Sequence, residues 1–191
     1  MKAVFLSIRP NWCKLIWSGM KTVEVRKTRP TLETPFKAYI YCTGHDGWVM
    51  KLPKAGVQKM DSRVIGEFTC DKIDRLAHVE AMGSNEPPKL QIVTPDLWYK
   101  PADELLQAAC LTEAQAKKYL KGGDGYGWHI SNLKIYDKPV KLKDFWAIKP
   151  CTHRGDCCTC RRWDAKKLIC RGEVFGIERP PQSWYYVEDS R

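Results

Sequence analysis

Short segments with strand character recur from Ala3 to Val187, while helical patterns are few and brief. Ala3–Ile8 alternates loosely and reads as a first strand. Thr22-Val23-Glu24-Val25-Arg26 has a clean period of two, which places Val23 and Val25 toward a core and Thr22, Glu24 and Arg26 on the other face. Phe36–Cys42 and Arg63–Ile73 read as further strands, separated by a loop rich in Gly and Lys. Strand character resumes at Trp128–Ile130 and Lys134–Tyr136. Val174–Ile177 and Trp184–Val187 close the chain around the Pro180-Pro181 turn. The helices are easily counted. Pro10 opens one over Asn11–Ser18, which stops at Gly19. Residues 83–125 look like an insertion more helical than its surroundings, with one helix from Pro101 to Ala109. A second is capped by Thr112 and Gln115 and ends at Gly122-Gly123. A chain with more short strands than helices predicts an α+β fold: a mixed β-barrel with short flanking helices over 1–148, followed by a Cys-rich extension over 149–191.

The net charge of +10 is unevenly placed. Residues 1–30 hold seven basic side chains against one acid, and residues 149–171 hold seven against two. The remainder of the chain is close to neutral. If the fold brings the two positive segments together they form a surface suited to phosphates, and charge alone divides evenly between a nucleic-acid partner and a merely solvated basic surface. No stretch approaches the roughly eighteen apolar residues of a membrane span, so no membrane partner is expected. The apolar run Ala3–Ser7 is too short for a secretory signal and is followed by Arg9, which points to the cytoplasm.

The segment Gly19-Met20-Lys21-Thr22-Val23-Glu24-Val25-Arg26 sits between a helix stop and a strand, and Gly127-Trp128-His129-Ile130-Ser131 lies far downstream. Together with Leu6-Ser7-Ile8-Arg9-Pro10, these resemble the ASCH domain family, a branch of the PUA-like β-barrel superfamily. The Gly-x-Lys-x-x-Glu-x-Arg spacing is the family hallmark. The resemblance covers roughly residues 1–145 and implies a PUA-like barrel that binds RNA or a nucleotide in a polar cleft. Carried onto this chain, that cleft is lined by Arg9, Lys21, Glu24 and Arg26. The residues themselves allow two readings. Glu24 and Arg26 lie one pleat apart on one strand face and can pair. On an open surface such a pair contributes about 0–1 kcal/mol and carries no function. In a cleft it aims a guanidinium at a phosphate or base edge.

Some relatives in the family are amidohydrolases that use a Lys, a Thr three residues later, and a Glu. Lys21 matches the first position, but Glu24 stands where the Thr nucleophile belongs, and the motif does not place the family's Glu. An enzyme on this cleft, hydrolysing a modified nucleoside or RNA, would use Lys21 and Glu24 as its acid and base.

Five of the nine cysteines fall between Cys151 and Cys170. Cys151-x5-Cys157-x2-Cys160-x9-Cys170 offers four thiolates with a CxxC turn at its centre, the bite that tetrahedral zinc requires. Cys158 can exchange with Cys157, and His153 can replace Cys151. A closed four-ligand site leaves no position for water, so the zinc would be structural. It would order a loop carrying Arg154, Arg161, Arg162, Lys166, Lys167 and Arg171, giving a second phosphate-binding surface. Cys13, Cys42, Cys70 and Cys110 stand among apolar residues and read as small core side chains.

Among the aromatics, most suit the core. Trp128 and the turn Arg179-Pro180-Pro181-Gln182-Ser183-Trp184 are the exceptions that suit a ligand: Trp128 could stack on a base, and Arg179 and Gln182 carry the bidentate groups that read base edges. A third functional class, a protein-interaction module whose basic faces meet an acidic partner, fits the charge equally well.

Overall fold

A computed structural model describes residues 2–44, 47–80, 87–149, 163–164, 169–170 and 173–189. In chain order the elements are β1 (Lys2–Ile8), α1 (Pro10–Trp17), β2 (Val23–Arg26), β3 (Phe36–Cys42), β4 (Val49–Leu52), β5 (Gly56–Lys59) and β6 (Arg63–Val79). They continue with β7 (Lys89–Val93), β8 (Tyr99–Pro101), α2 (Asp103–Ala108), α3 (Glu113–Leu120), β9 (Gly125–Val140) and a 3₁₀ turn at Leu142–Asp144. The chain closes with β10 (Trp146–Lys149), β11 (Trp163–Asp164), β12 (Ile169–Cys170), β13 (Glu173–Gly176) and β14 (Trp184–Glu188). The protein is therefore mostly sheet with a few short helices. The strand order is an open path with a branch at β6, to which β9 and then β2 attach, and no closed ring of pairings occurs among the described residues.

The chain divides into two compact units, and β3, β6 and β9 each contribute residues to both. The first unit holds residues 1–8, 39–66 and 136–191. Its centre is β1, which is buried on both faces from Ala3 onward. A strand covered on both sides has no solvent face to mark with polar residues, which is why its alternation is loose in the sequence. β14 runs antiparallel beside β1 (Lys2 opposite Glu188, Leu6 opposite Trp184), then β10 (Ala147 opposite Val187), then β13 (Trp146 opposite Gly176). Phe145 meets the rings of Phe5 and Tyr39 edge-on at 5.2 and 4.9 Å, in a core with Val64, Ile177 and Val187. The Tyr39 hydroxyl donates to Asp189 Oδ1 at 2.7 Å, so the buried ring keeps its polar end satisfied.

The second unit holds residues 9–38 and 67–135. Pro10 occupies the first turn of α1, where its missing N–H costs nothing, and Gly19 ends the turn at φ 75°. β2 pairs antiparallel with β9, Glu24 opposite Trp128 and Val25 opposite Gly127. The two halves of the sequence motif are thus cross-strand neighbours. α2 and α3 supply Leu105, Leu106, Ala116 and Leu120 to a core shared with Val23, Val25 and Leu76. The Thr112–Gln115 capping box forms in both directions. Glycine lets the helices lie close on β9. A Cβ on Gly127 would stand 2.8 Å from Leu105 Cδ1, and one on Gly125 would stand 2.7 Å from Leu120 Cδ2.

Three elements differ from the sequence expectation. The Gly- and Lys-rich loop contains the hairpin β4–β5, whose residues are mostly exposed and so show no apolar periodicity. β6 extends to Val79 rather than Ile73, because β7 pairs with its end from Arg75 to Val79. β9 is one continuous strand through Ser131 and Asn132. There the Ser131 hydroxyl donates to Thr69 O at 3.0 Å and Asn132 takes φ 48°, a conformation that Asn tolerates.

The glycine contact makes a test. Gly127→Ala should cost about 1–3 kcal/mol by overpacking against Leu105. The double variant with Leu105→Ala should cost less than the sum of the two single changes, because the deleted isobutyl group makes the room. Urea unfolding midpoints of the four proteins measure both.

A buried Lys21, Glu24 and Arg26 cluster as the candidate ligand site

The site lies within the second unit and starts with the backbone between α1 and β2. Lys21 N–H donates to Leu15 O at 3.0 Å and Thr22 N–H donates to Ala108 O at 2.9 Å. The Cys110 thiol reaches Met20 O at 3.3 Å. This stretch is therefore sewn to both the end of α1 and the end of α2. The Lys21 side chain turns inward and its Nζ donates to Ala109 O at 2.7 Å. The last carbonyls of a helix have no intrahelical donors, so an N–H of Thr22 and the ammonium of Lys21 act as the C-terminal cap of α2.

From there the charges connect in a line. Lys21 Nζ is 3.3 Å from Glu24 Oε2, and an Arg26 terminal nitrogen is 3.1 Å from Glu24 Oε1. One carboxylate is shared by two cations, and all three side chains are at most 9% exposed. The surface ion pair that the sequence also allowed is not what forms. Trp128 is wholly buried directly across from Glu24 and stands edge-on to Phe36 at 5.7 Å. Its indole helps to exclude water from the pair rather than presenting a face to solvent.

Aromatic groups cover the cations. Lys21 Nζ lies 5.0 Å from the centroid of the half-buried Trp12 ring. Arg26 is hydrogen-bonded to the side chain of Tyr119 on α3, and Lys27 Nζ stands 5.4 Å from the same ring. Burial pushes the Tyr119 phenol above the ordinary tyrosine value. The charge of Arg26 pulls it down, Glu24 pushes it up, and the Arg26 hydrogen bond and the more remote charge of Arg9 draw it down again. Tyr119 still leaves 41% of its surface exposed, and Arg9 and Lys27 are exposed. The arrangement is an inner trio with one net positive charge and an outer rim of two cations and a phenol. Such a site can attract an anion, and it can present a ring to a planar group.

Of the residues singled out in the sequence, Arg9, Lys21, Glu24, Arg26 and Trp128 all belong to this unit. Lys21, Glu24 and Arg26 touch one another; Arg9 acts at longer range, and Trp128 supports from the core. Arg179 and Gln182 are exposed residues of the first unit. Trp12 and Tyr119 were not singled out as site residues. Nothing in the local sequence marks Tyr119, whose place depends on where α3 lands.

The expected zinc ligands Cys151, Cys157 and Cys160, with the alternatives His153 and Cys158, lie outside the described residues. Cys170 falls in β12, which pairs with β11, Trp163 opposite Cys170. Among the described residues no cluster of three metal-binding side chains occurs. Cys13, Cys42 and Cys70 are buried and Cys110 is half-buried. Burial pushes the Cys70 thiol up to about 12, so it is inert at neutral pH.

No family model matches the chain, and no curated protein matches it. Among solved structures it is similar in fold to an ASCH protein from Zymomonas mobilis, with a TM-score of 0.46 and 19% identity over 73% of each chain. Two single-substitution variants of that protein give the same TM-score and identity. One covers 74% of this chain and 77% of its own, the other 73% and 74%.

The buried geometry makes its own prediction. Lys21→Ala leaves Glu24 short of one partner and uncaps α2, and should cost about 3–5 kcal/mol of stability, as breaking a buried pair does. A loss below about 1 kcal/mol in urea unfolding, the value of an exposed pair, would contradict the buried arrangement.

Proposed function

We propose that the chain is an ASCH-type, PUA-like module that binds RNA or a nucleotide at Lys21, Glu24 and Arg26. The observation that carries this reading is the fixed guanidinium of Arg26, held between the Glu24 carboxylate and the Tyr119 side chain in a trio with one net positive charge. Pre-orienting an arginine removes the entropy it would otherwise lose on gripping a phosphate or base edge. Arg9 and Lys27 at the rim add attraction for phosphate, and Tyr119 and Trp12 offer rings for a base. The Gly19-x-Lys21-x-x-Glu24-x-Arg26 resemblance to ASCH domains supports the same cleft and the same ligand class.

The geometry favours binding over catalysis. Two of the three ammonium donors of Lys21 are committed to Ala109 O and Glu24, so its role is to position Glu24 and, through it, Arg26. The hydrolase reading needs Lys21 or Glu24 to exchange a proton with substrate, whereas both side chains are engaged with partners inside the trio. In this proposal Cys151, Cys157, Cys160 and Cys170 hold one structural zinc, and the basic loop around them extends the phosphate-binding surface.

Arg26→Ala should weaken binding of a fluorescent nucleoside 5′-monophosphate by about ten- to a hundredfold, and Arg26→Lys should recover only part of it, because an ammonium cannot make the paired contact. Affinity should fall with added salt. Fluorescence anisotropy measures all three. Unchanged affinity in a folded Arg26→Ala protein would refute the site, and turnover of RNA or a modified nucleoside lost in Lys21→Ala would favour the enzyme.

Metal analysis tests the zinc proposal separately. Protein purified without added zinc should contain close to one equivalent. Less than half an equivalent, with freely titrating thiols, would refute it.

A further inference from the structure

The first unit carries an open groove of about 730 Å³ on the side of β10, β13 and β14. We propose that this groove is a second binding site, for single-stranded nucleic acid, and that Trp146 is its stacking platform. It stands apart from the Lys21–Glu24–Arg26 reading and uses none of those residues.

Its lining combines the two chemistries that a polynucleotide needs. Arg63, Lys141, Lys143 and Arg179 supply four positive charges, against the single acid Glu178. Among the described residues, Lys141, Lys143 and Arg179 form no ion pair. Trp146 is 52% exposed and Tyr185 39% exposed, so both rings present surface to solvent. Both rings are held in place. A Cβ on Gly176, opposite Trp146 in the β10–β13 register, would lie 3.9 Å from Trp146 Cζ3, so the indole overlies the backbone of the neighbouring strand. Phe175 meets Tyr185 edge-on at 6.4 Å. A rigid ring with one face covered and the other toward solvent is what a base stacks on at little entropic cost.

A bare acidic peptide would be drawn to the same charges but would leave the two exposed rings without use. Duplexes keep their base faces stacked internally and cannot use them either. The combination therefore selects an unstacked strand. Arg179, noted in the sequence as a base-reading candidate, falls in this groove and not in the cluster around Arg26.

The test uses the full chain and a fluorescent oligouridylate of about ten nucleotides, within the usual span of a single-strand site. Trp146→Ala should weaken binding about tenfold with an unchanged urea midpoint, and Trp146→Phe should retain most of the affinity. Trp98→Ala, which removes a tryptophan 75% exposed in the second unit, should have no effect. Lys141→Gln with Lys143→Gln should lower the slope of log affinity against log salt by about 1.4, the release of two counterions from a single strand. Nucleoside monophosphate binding should respond to Arg26→Ala and not to Trp146→Ala, which separates the two sites. Equal affinity of wild type and Trp146→Ala for the oligouridylate would overturn the proposal. So would equal binding of a duplex, or displacement of the strand by polyglutamate at matched ionic strength.

Discussion

The Glu24 carboxylate, shared in a buried setting by Lys21 and Arg26, is the interaction on which the second unit's chemistry depends. Placing three charges where at most 9% of each is exposed is costly unless each is satisfied. The surrounding structure meets much of that demand piece by piece. Ala109 O accepts from Lys21, Trp12 covers the ammonium, Tyr119 bonds Arg26, and Trp128 seals the face from across the β2–β9 ladder. The same contacts that compensate the burial also fix the direction of the guanidinium. Structural and functional accounts of these residues are therefore one account: Lys21 caps a helix and, in doing so, holds the carboxylate that aims Arg26.

The helices α2 and α3 matter for the same reason. They bring Ala109 and Tyr119 to the trio, and they can approach β9 because Gly125 and Gly127 have no side chain there. A glycine in a strand usually weakens it, but here it permits close helix packing. The motif residues Gly127 and Trp128 then have distinct jobs, one admitting Leu105 and the other backing Glu24.

Much of this was legible in the sequence, for identifiable reasons. The period of two over Thr22–Arg26 put Glu24 beside Arg26, and the Thr112–Gln115 spacing gave the helix cap; both are local rules and both hold in the structure. Burial of the pair was not legible, since a strand face with Glu and Arg reads as solvated until something covers it. Tyr119 was invisible because it acts on residues ninety or more positions away in the chain. The hairpin β4–β5 was hidden by its exposure, which leaves no apolar period. The sequence offers Trp128 as a ring for a ligand, whereas its zero exposure makes it a core residue. The groove of the first unit was legible only in part: Arg179 stood out beside its prolines, but Trp146 and Lys143 acquire meaning only when β10, β13 and β14 lie side by side.

The central claim is that a pre-aimed Arg26 is the ligand contact. A nuclear magnetic resonance titration with the four nucleoside 5′-monophosphates tests it most directly, by following the Arg26 Nε–Hε signal and the backbone amides of β2 and α3. The account predicts saturable shifts of the Arg26 side-chain signal together with amides near Tyr119, for at least one nucleotide. An Arg26 signal that stays fixed at saturating concentrations of all four would contradict it.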